Sequence, residues 1–283
     1  MNSSQYKNNE YKKLCVILGF KPQVVTAIIE NIDNYYKEWI EKKEDKNGNY
    51  KTYKDGTIKK RIIRPSLMEL KIIQTIIKNK ILSKILMPDC VHGGVKKKSN
   101  ISNAKPHQGK KYIFTTDLQE FYPNITSEQV YQTLVGLGFS THFSHYLTKL
   151  TTYKYELPQG TPTSTHISNL VFLATDLKLI DLCEKNNITY TRYVDDLTFS
   201  SAQDFQHLIK DLLEIVQKDG FKISRRKTNY SSNQTITGIE VFLNKIDAPK
   251  RIIDLANQEV ELKSEPKPFT NYLKNIRITN KKK

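Results

Sequence analysis

Cysteine is scarce in this chain: Cys15, Cys90 and Cys183 are the only three among 283 residues. The number is odd, the spacings are long and no C-x-x-C occurs. That argues against a disulfide framework or a zinc site and for a reducing compartment. Long apolar runs are missing too. None approaches the roughly 18 residues that a membrane helix needs, and the N-terminal MNSSQYKNNEYKK lacks the charged-then-apolar order of a secretory signal. The expectation is a cytoplasmic protein with no membrane partner. Repeats are absent, and low complexity is confined to Lys96-Lys97-Lys98 and the terminal Lys281-Lys282-Lys283. Acidic residues are the other shortage, with 29 Asp/Glu against 45 Lys/Arg and a net charge of +16.

What is there is length and positive charge. A chain of 283 residues can bury a large core, as one extended domain or as two or three sub-domains. Its 38% hydrophobic and 26% charged residues suit a soluble globular protein on the polar side. The charge is uneven: residues 41 to 111 hold 19 Lys/Arg and 6 Asp/Glu, a local excess of +13. Such a stretch is either a solvated Lys-rich surface or a groove for a polyanion.

Periodicity orders the chain. Residues 11 to 40 read as one or two amphipathic helices ending near Trp39, followed by a loop, EKKEDKNGNY. In YKTYKDGTIKKRIIRP, Asp55-Gly56 signals a hairpin turn between two basic strands. Ser66 to Glu69 fits a capping box opening a helix with Leu70, Ile73, Ile77 and Ile81 on one face, ending before Pro88. VHGGVKKKSNISNAKPHQGKK reads as irregular, and KYIFTTDL as a buried strand ending at Asp117. Two helices are expected over 126 to 150, then a turn and a long helix from LPQGTPTSTHISNL. ITYTRYVDD and DLTFSSA form a second hairpin candidate, followed by a helix over 203 to 218 and strands in FKIS and QTITGIEVFLN. The order predicts an α+β domain, an antiparallel sheet backed by helices.

In TRYVDDLTF, two adjacent aspartates interrupt a strand-forming run. If the strand runs straight, Asp195 and Asp196 diverge; if a tight turn falls at the pair, both sit at a hairpin tip. Asp117 ends another strand. Carboxylates within a few ångströms raise one another's pKa or need a cation, and all-oxygen sets suit Mg²⁺. The plainer alternative makes Asp117 a helix cap and Asp195-Asp196 a surface turn.

The context weighs against the plainer alternative. FTTDLQEFYPNI, LPQGTPTSTHISNL, TRYVDDLTFS, GFKISRRKT and TITGIEV stand in this order. They resemble the successive palm motifs of reverse transcriptases, over residues 50 to 245. Asn103-Ala104-Lys105-Pro106-His107 matches the N-A-x-x-H element of the bacterial retron enzymes. Ile236-Thr237-Gly238 resembles their V-T-G element, with Ile for Val, and Y-V-D-D departs from their commoner Y-A-D-D.

The resemblance implies a right-hand polymerase: an N-terminal helical extension (1–49), basic fingers (50–111, with further helices from 125–155), a palm (112–245) and a short thumb with a basic tail (246–283). It implies two Mg²⁺ ions, with Mn²⁺ the other candidate, held by Asp117, Asp195 and the Leu118 carbonyl and supported by Asp196. By the same resemblance, Arg61 grips the triphosphate of an incoming dNTP. Lys59, Lys60 and Arg64 share that work or contact the template backbone. Tyr122 is a steric gate against a 2′-OH, or simply a packing ring. Gln159-Gly160 form the nucleotide-contacting turn, and Lys227 lies near the triphosphate. Asn103, His107, Lys96, Lys97 and Lys98 are candidates for RNA contact, with loop ordering the alternative for His107.

The implied activity is RNA-directed DNA synthesis on a cognate non-coding RNA. It would be primed from a guanosine 2′-OH and yield branched RNA–DNA (msDNA) in an antiphage defence system. With no nuclease, protease or effector motif in the chain, the toxic partner is expected to be a separate protein. Two alternatives stand beside it: a non-retron defence or intron-derived reverse transcriptase, and a nucleic-acid-bound scaffold that sequesters an effector. The last 42 residues predict one helix near 249–263, a break at SEPKPF and a basic end.

Overall fold

The computed structural model describes residues 3–44, 48–52, 55–232, 234–263 and 265–281. The chain opens with α1 (Ser3–Leu18) and α2 (Pro22–Glu30), the latter started by Pro22, whose fixed φ suits a first helical position. Next come β1 (Trp39–Lys42), β2 (Lys60–Ile63) and α3 (Met68–Lys80). Then follow α4 (Asn100–Ala104), β3 (Tyr112–Asp117), α5 (Ser127–Gly136), α6 (Thr141–Thr151) and α7 (Ser164–Lys185). The remainder is β4 (Thr189–Tyr193), β5 (Asp196–Ser201), α8 (Ile209–Lys218), β6 (Asn229–Ser231), β7 (Gln234–Ile236), β8 (Ile239–Val241), β9 (Ile246–Asp247), α9 (Lys250–Glu261) and α10 (Pro268–Lys281). The result is the mixed helix and antiparallel sheet that the sequence predicts.

Chain contacts divide these elements into two units, Met1–Leu86 with Tyr122–Val171, and Met87–Phe121 with Phe172–Lys283. In the first, Leu14, Leu18, Leu70, Ile73, Ile77, Val130, Leu147 and Leu150 form a buried core, the face of α3 being the one its spacing predicts. Gln74 sits within it and donates to the Tyr36 hydroxyl (3.0 Å) and the Leu150 carbonyl (2.9 Å). Thr126 and Gln129 close a capping box on α5.

Two local expectations fail in this unit. Trp39 does not end a helix but starts β1, which pairs antiparallel with β2 from Trp39↔Ile63 to Lys42↔Lys60. The alternation of Trp-Ile with Glu-Lys is too short to separate the two periods. The Asp55-Gly56 turn does form, its carboxylate accepting from the Thr57 amide (3.0 Å), and Thr52 bridges Ile58. Part of the predicted loop, 45–47, and residues 53–54 lie outside the described residues. The Ser66 capping box does not form either: Leu67 is the N-cap, with no side-chain bond. Ser66 is instead bridged to Tyr36, and the Leu67 amide donates to the Tyr35 carbonyl (2.8 Å), so backbone pairing claims the segment.

The second unit holds a four-stranded antiparallel sheet in the order β4-β5-β3-β6. Phe114, Tyr190 and Phe199 stack on one another, and Phe121, Phe172 and Phe221 form a second aromatic cluster. Burial of each such ring is worth about 1.5–3 kcal/mol. A three-stranded sheet, β7-β8-β9, packs through Ile236, Ile239, Val241 and Ile246 with Ala256, Leu273 and Ile276.

Four expectations are corrected here. The 91–111 segment carries α4, capped by Ser99 in a box with Ser102. FKIS is no strand; Ile223 makes a single bridge to Leu118. QTITGIEVFLN is a hairpin, with Thr237 (φ +45°) and Gly238 (φ +81°) at its turn. The tail holds two helices, because Phe269, Tyr272, Leu273 and Ile276 give α10 an apolar face against the small sheet. Among the described residues, no helix is long and apolar enough to cross a membrane.

Candidate active site

The adjacent aspartates lie where the hairpin reading put them. β4 and β5 pair from Thr189↔Ser200 to Tyr193↔Asp196, leaving Val194 and Asp195 as a two-residue turn. Val194 has φ +60°. Glycine is usual at a positive-φ hairpin position, and a β-branched residue there costs about 1–3 kcal/mol. On the other side of β5, β3 ends at the pair Asp117↔Asp196. One residue further, the Leu118 amide donates to the Asp195 carbonyl (2.9 Å). Three acids from two strand ends therefore share one edge of the sheet. In an extended strand the N–H and C=O of one residue face the same side, so the Leu118 carbonyl also faces the hairpin tip.

The electrostatics follow from this crowding. Burial, then the charges of Asp195 and Asp117, push the Asp196 carboxyl up to about 7, with Lys227 acting against the rise. Lys227 comes from the turn after Ile223, anchored where the Ser224 amide donates to the Asp117 carbonyl (2.7 Å). Its ammonium is ion-paired with the Asp117 carboxylate. Asp117 is 9% exposed at its side chain and Lys227 60%, so the lysine reaches in from solvent to a buried acid.

Among the described residues, no three His, Cys, Asp or Glu groups stand gathered as a ready metal cluster. The donor chemistry nonetheless fits a hard divalent ion. The acids are all carboxylates, a backbone carbonyl faces them, and a cation, the Lys227 ammonium, already rests on Asp117. Asp117, Asp195, Asp196 and the Leu118 carbonyl are the groups that would hold such an ion.

Arg61, Gln159, Gly160 and Tyr122 belong to the first unit. Arg61 is exposed and lines a cavity of about 540 Å³ with Lys42, Lys43, Tyr50 and Lys51. Gly160 (φ +100°) lies against Ile63 and Pro65, and the Gln159 carbonyl accepts from the Arg64 amide (2.7 Å). Tyr122 is half-buried, its hydroxyl 3.0 Å from that of Thr165 in the first turn of α7. Arg64 itself is buried and ion-paired with Glu38 (2.7 Å) and Glu156. Its fork is spent inside the unit, so the expected phosphate contact does not fall to it.

The RNA-contact candidates divide. Lys96 and Lys97 are exposed, and Lys98 is turned back onto the Asp89 carbonyl (2.7 Å). Asn103 and His107 are 0% exposed, which removes them from direct contact with RNA. Burial pushes the His107 imidazole down to about 3, so it is neutral. The Thr191 hydroxyl donates to the Asn103 carbonyl (3.3 Å), so His107 Nε2–H donates to Thr191 (2.8 Å) and Nδ1 accepts from Ser200 (2.6 Å). The element orders the sheet from beneath, which is the loop-ordering alternative for His107.

Comparison with known proteins gives the family. The family model "Reverse transcriptase (RNA-dependent DNA polymerase)" matches residues 42–261. The retron Ec86 reverse transcriptase of Escherichia coli is 34% identical over 191 residues, which cover 65% of this chain and 59% of that protein. The retron Mx162 reverse transcriptase of Myxococcus xanthus is 30% identical over 229 residues, covering 69% and 47%. The retron Ec83 reverse transcriptase of Escherichia coli is 31% identical over 215 residues, covering 69% of each chain. The chain belongs to the reverse transcriptase family, in its bacterial retron branch. It spans from about half to about two thirds of the length of these relatives.

Three residues of this reverse-transcriptase chain escape a reading of the sequence. Arg192 and Asp176 form a wholly buried ion pair beneath the hairpin, 0% exposed on both sides (Nη2–Oδ2 2.5 Å, Nε–Oδ1 2.9 Å). Gly93 abuts Val194. The signal available was a lone arginine inside a strand and a lone aspartate in the apolar run NLVFLATDLKLI; pairing them needed the fold.

Proposed function

We propose that this chain is a retron RNA-directed DNA polymerase that copies its cognate non-coding RNA. A primer hydroxyl attacks the α-phosphate of a dNTP, a new P–O bond forms, and the bond to pyrophosphate breaks. The observation that carries this reading is the meeting of Asp117, Asp195 and Asp196 at one sheet edge, in a chain of this family. Two divalent ions, Mg²⁺ or in its place Mn²⁺, would activate the hydroxyl and offset charge on the leaving oxygen when bound.

The chain's own part is positioning. Asp117 and Asp195 present carboxylates from rigid strand ends, and Asp196 supports them from the start of β5. Lys227 balances Asp117 at rest and can turn to substrate phosphate, its other side being open to solvent. By family position, Arg61 grips the triphosphate, for which its planar fork is suited, and Gln159 and Gly160 contact the nucleotide. Tyr122, tethered at Thr165, bars a 2′-OH. The basic 41–111 stretch, with Lys96 and Lys97, attracts RNA, and its binding would weaken steeply with salt.

By the same reading the primer is a guanosine 2′-OH in the RNA, and the product is branched RNA–DNA. The setting is an antiphage system in the bacterial cytoplasm, with a separate effector protein. The test is to purify the protein, sequence the nucleic acid that accompanies it, and assay dNTP incorporation on that RNA. Incorporation with a 2′,5′-linked junction is expected. Synthesis without that junction would point to another priming mode, and co-purified RNA with no synthesis would point to a scaffold.

A further inference from the structure

The segment before α4 runs alongside the outer edge of β4. The Arg192 amide donates to the Cys90 carbonyl (2.7 Å) and the His92 amide donates to the Arg192 carbonyl (2.8 Å), a parallel bridge centred on Val91 and Arg192. His92 is tied in turn to Ser102 of α4 (2.8 Å). Two residues beyond this bridge, Gly93 touches the catalytic turn. A Cβ at Gly93 would stand 2.5 Å from the Val194 amide nitrogen and 2.5 Å from its Cγ2. The first contact is with backbone, so no side-chain rotation relieves it. Only glycine lets this segment lie where it does.

The Arg192 side chain completes the contact from below. Its Nε and Nη2 engage the Asp176 carboxylate, its Nη1 donates to the Val194 carbonyl (3.0 Å), and its guanidinium carbon lies 4.7 Å from the Phe172 ring centroid. Tyr190 adds a bond to Asp176 (2.8 Å). The Val194 carbonyl belongs to the peptide that leads into Asp195; the Asp195 carbonyl, in the peptide that leads out, accepts from Leu118. Both peptide planes flanking Asp195 are thus held, one by a buried guanidinium and one by the neighbouring strand.

We propose that Gly93 and the buried Arg192–Asp176 pair are positioning residues that fix the backbone at Asp195, so that its carboxylate meets Asp117 in one geometry. The inference rests on the polymerase reading for its meaning, and its geometry concerns this unit alone. It joins the H-G-G stretch and the N-A-K-P-H element in one role. The first lies on the turn and is anchored through Ser102, the residue just before the second; the second braces β4 through His107 and Thr191.

Gly93→Ala tests it, with Gly136→Ala as control, since a Cβ at Gly136 meets nothing within 4 Å. Expected for Gly93→Ala are an unchanged far-ultraviolet circular dichroism spectrum and unchanged RNA affinity. Its kcat should fall about 30- to 100-fold, since a 1 Å misplacement can cost about 10²-fold, with KM for dNTP moving about threefold or less. Mn²⁺ affinity, read by electron paramagnetic resonance with no substrate present, should weaken at least about fivefold for the same reason. If Gly93→Ala does not fold, Arg192→Lys serves with the same readouts, because an ammonium cannot bind Asp176 through a fork and Val194 together. Wild-type values of both kcat and Mn²⁺ affinity would overturn the inference. So would lost RNA affinity with Mn²⁺ binding intact, which would make the segment an RNA contact. A wild-type protein that makes no DNA would sink the polymerase reading instead, and the Mn²⁺ comparison would still decide the positioning role.

Discussion

Two antiparallel strand pairs in this chain are built to opposite plans. In β1–β2 every residue but Ile63 is exposed, Trp39, Ile40 and Ile62 included. In β4–β5, Tyr190, Thr191, Arg192 and Leu197 to Ser201 are buried, and only the residues at the turn and Thr189 reach solvent. The backbone pairing is the same; what differs is how many directions hold it. The ribbon is pinned by its own ladder, while the hairpin is flanked by β3 and the Cys90–Gly93 segment and fastened from below by Arg192. A carboxylate that must meet another within a fraction of an ångström needs the second plan. On the proposed reading, the cation of Arg61, which has a mobile phosphate to find, is served by the first.

Substitutions should therefore act differently in the two places. The largest effect is expected for Asp195→Asn, which should lower dNTP incorporation at least about 10³-fold in primer extension while RNA affinity in a gel-shift assay stays at the wild-type value. Next, Asp176→Asn removes the partner of a buried charge and should cost about 3–5 kcal/mol of stability, read from the urea midpoint. Glu41→Gln on the exposed ribbon should stay within about 0.5 kcal/mol; an equal loss at both would erase the contrast.

Asp196 gives a pH test of the crowded edge. Its folded pKa of about 7 lies above its ordinary value of 3.8. The folded state therefore holds the extra proton between those limits, and stability falls as pH rises through that window. Asp196→Asn should remove this loss. Without divalent ions the variant should be more stable than wild type by about 1–3 kcal/mol at pH 8 and show no such gain at pH 3.5. Among the substitutions that touch activity, the smallest effect is expected for Arg61→Ala: a roughly tenfold rise in KM for dNTP, as for one lost charge-assisted contact, with the melting temperature unchanged.

The strand ending at Asp117, the helices of 126–151 and the long α7 were legible because their periodicity is unambiguous. The order of the polymerase-like motifs was legible as text. Less was readable where two residues alone decide a geometry. Val194 has no sequence mark of its positive φ, since valine is the last residue expected there. Ser66 looked like a cap, but the competing use of its backbone is a tertiary fact. Asn103 and His107 stand among lysine, glycine and proline, so composition placed them in a loop. Their burial depends on Thr191 and Ser200, more than 80 positions away. Arg192 and Asp176 each looked out of place, and each explains the other only once α7 lies under the sheet.

Lys227 has a consequence for handling the protein. The cation on Asp117 is part of the chain, so dialysis cannot dilute it and a chelator cannot remove it. Stripping divalent ions should leave a folded protein whose buried Asp117 still has a counter-charge. On the proposed reading, such a protein should keep through purification and storage, and adding the ion should restore dNTP incorporation with no refolding between.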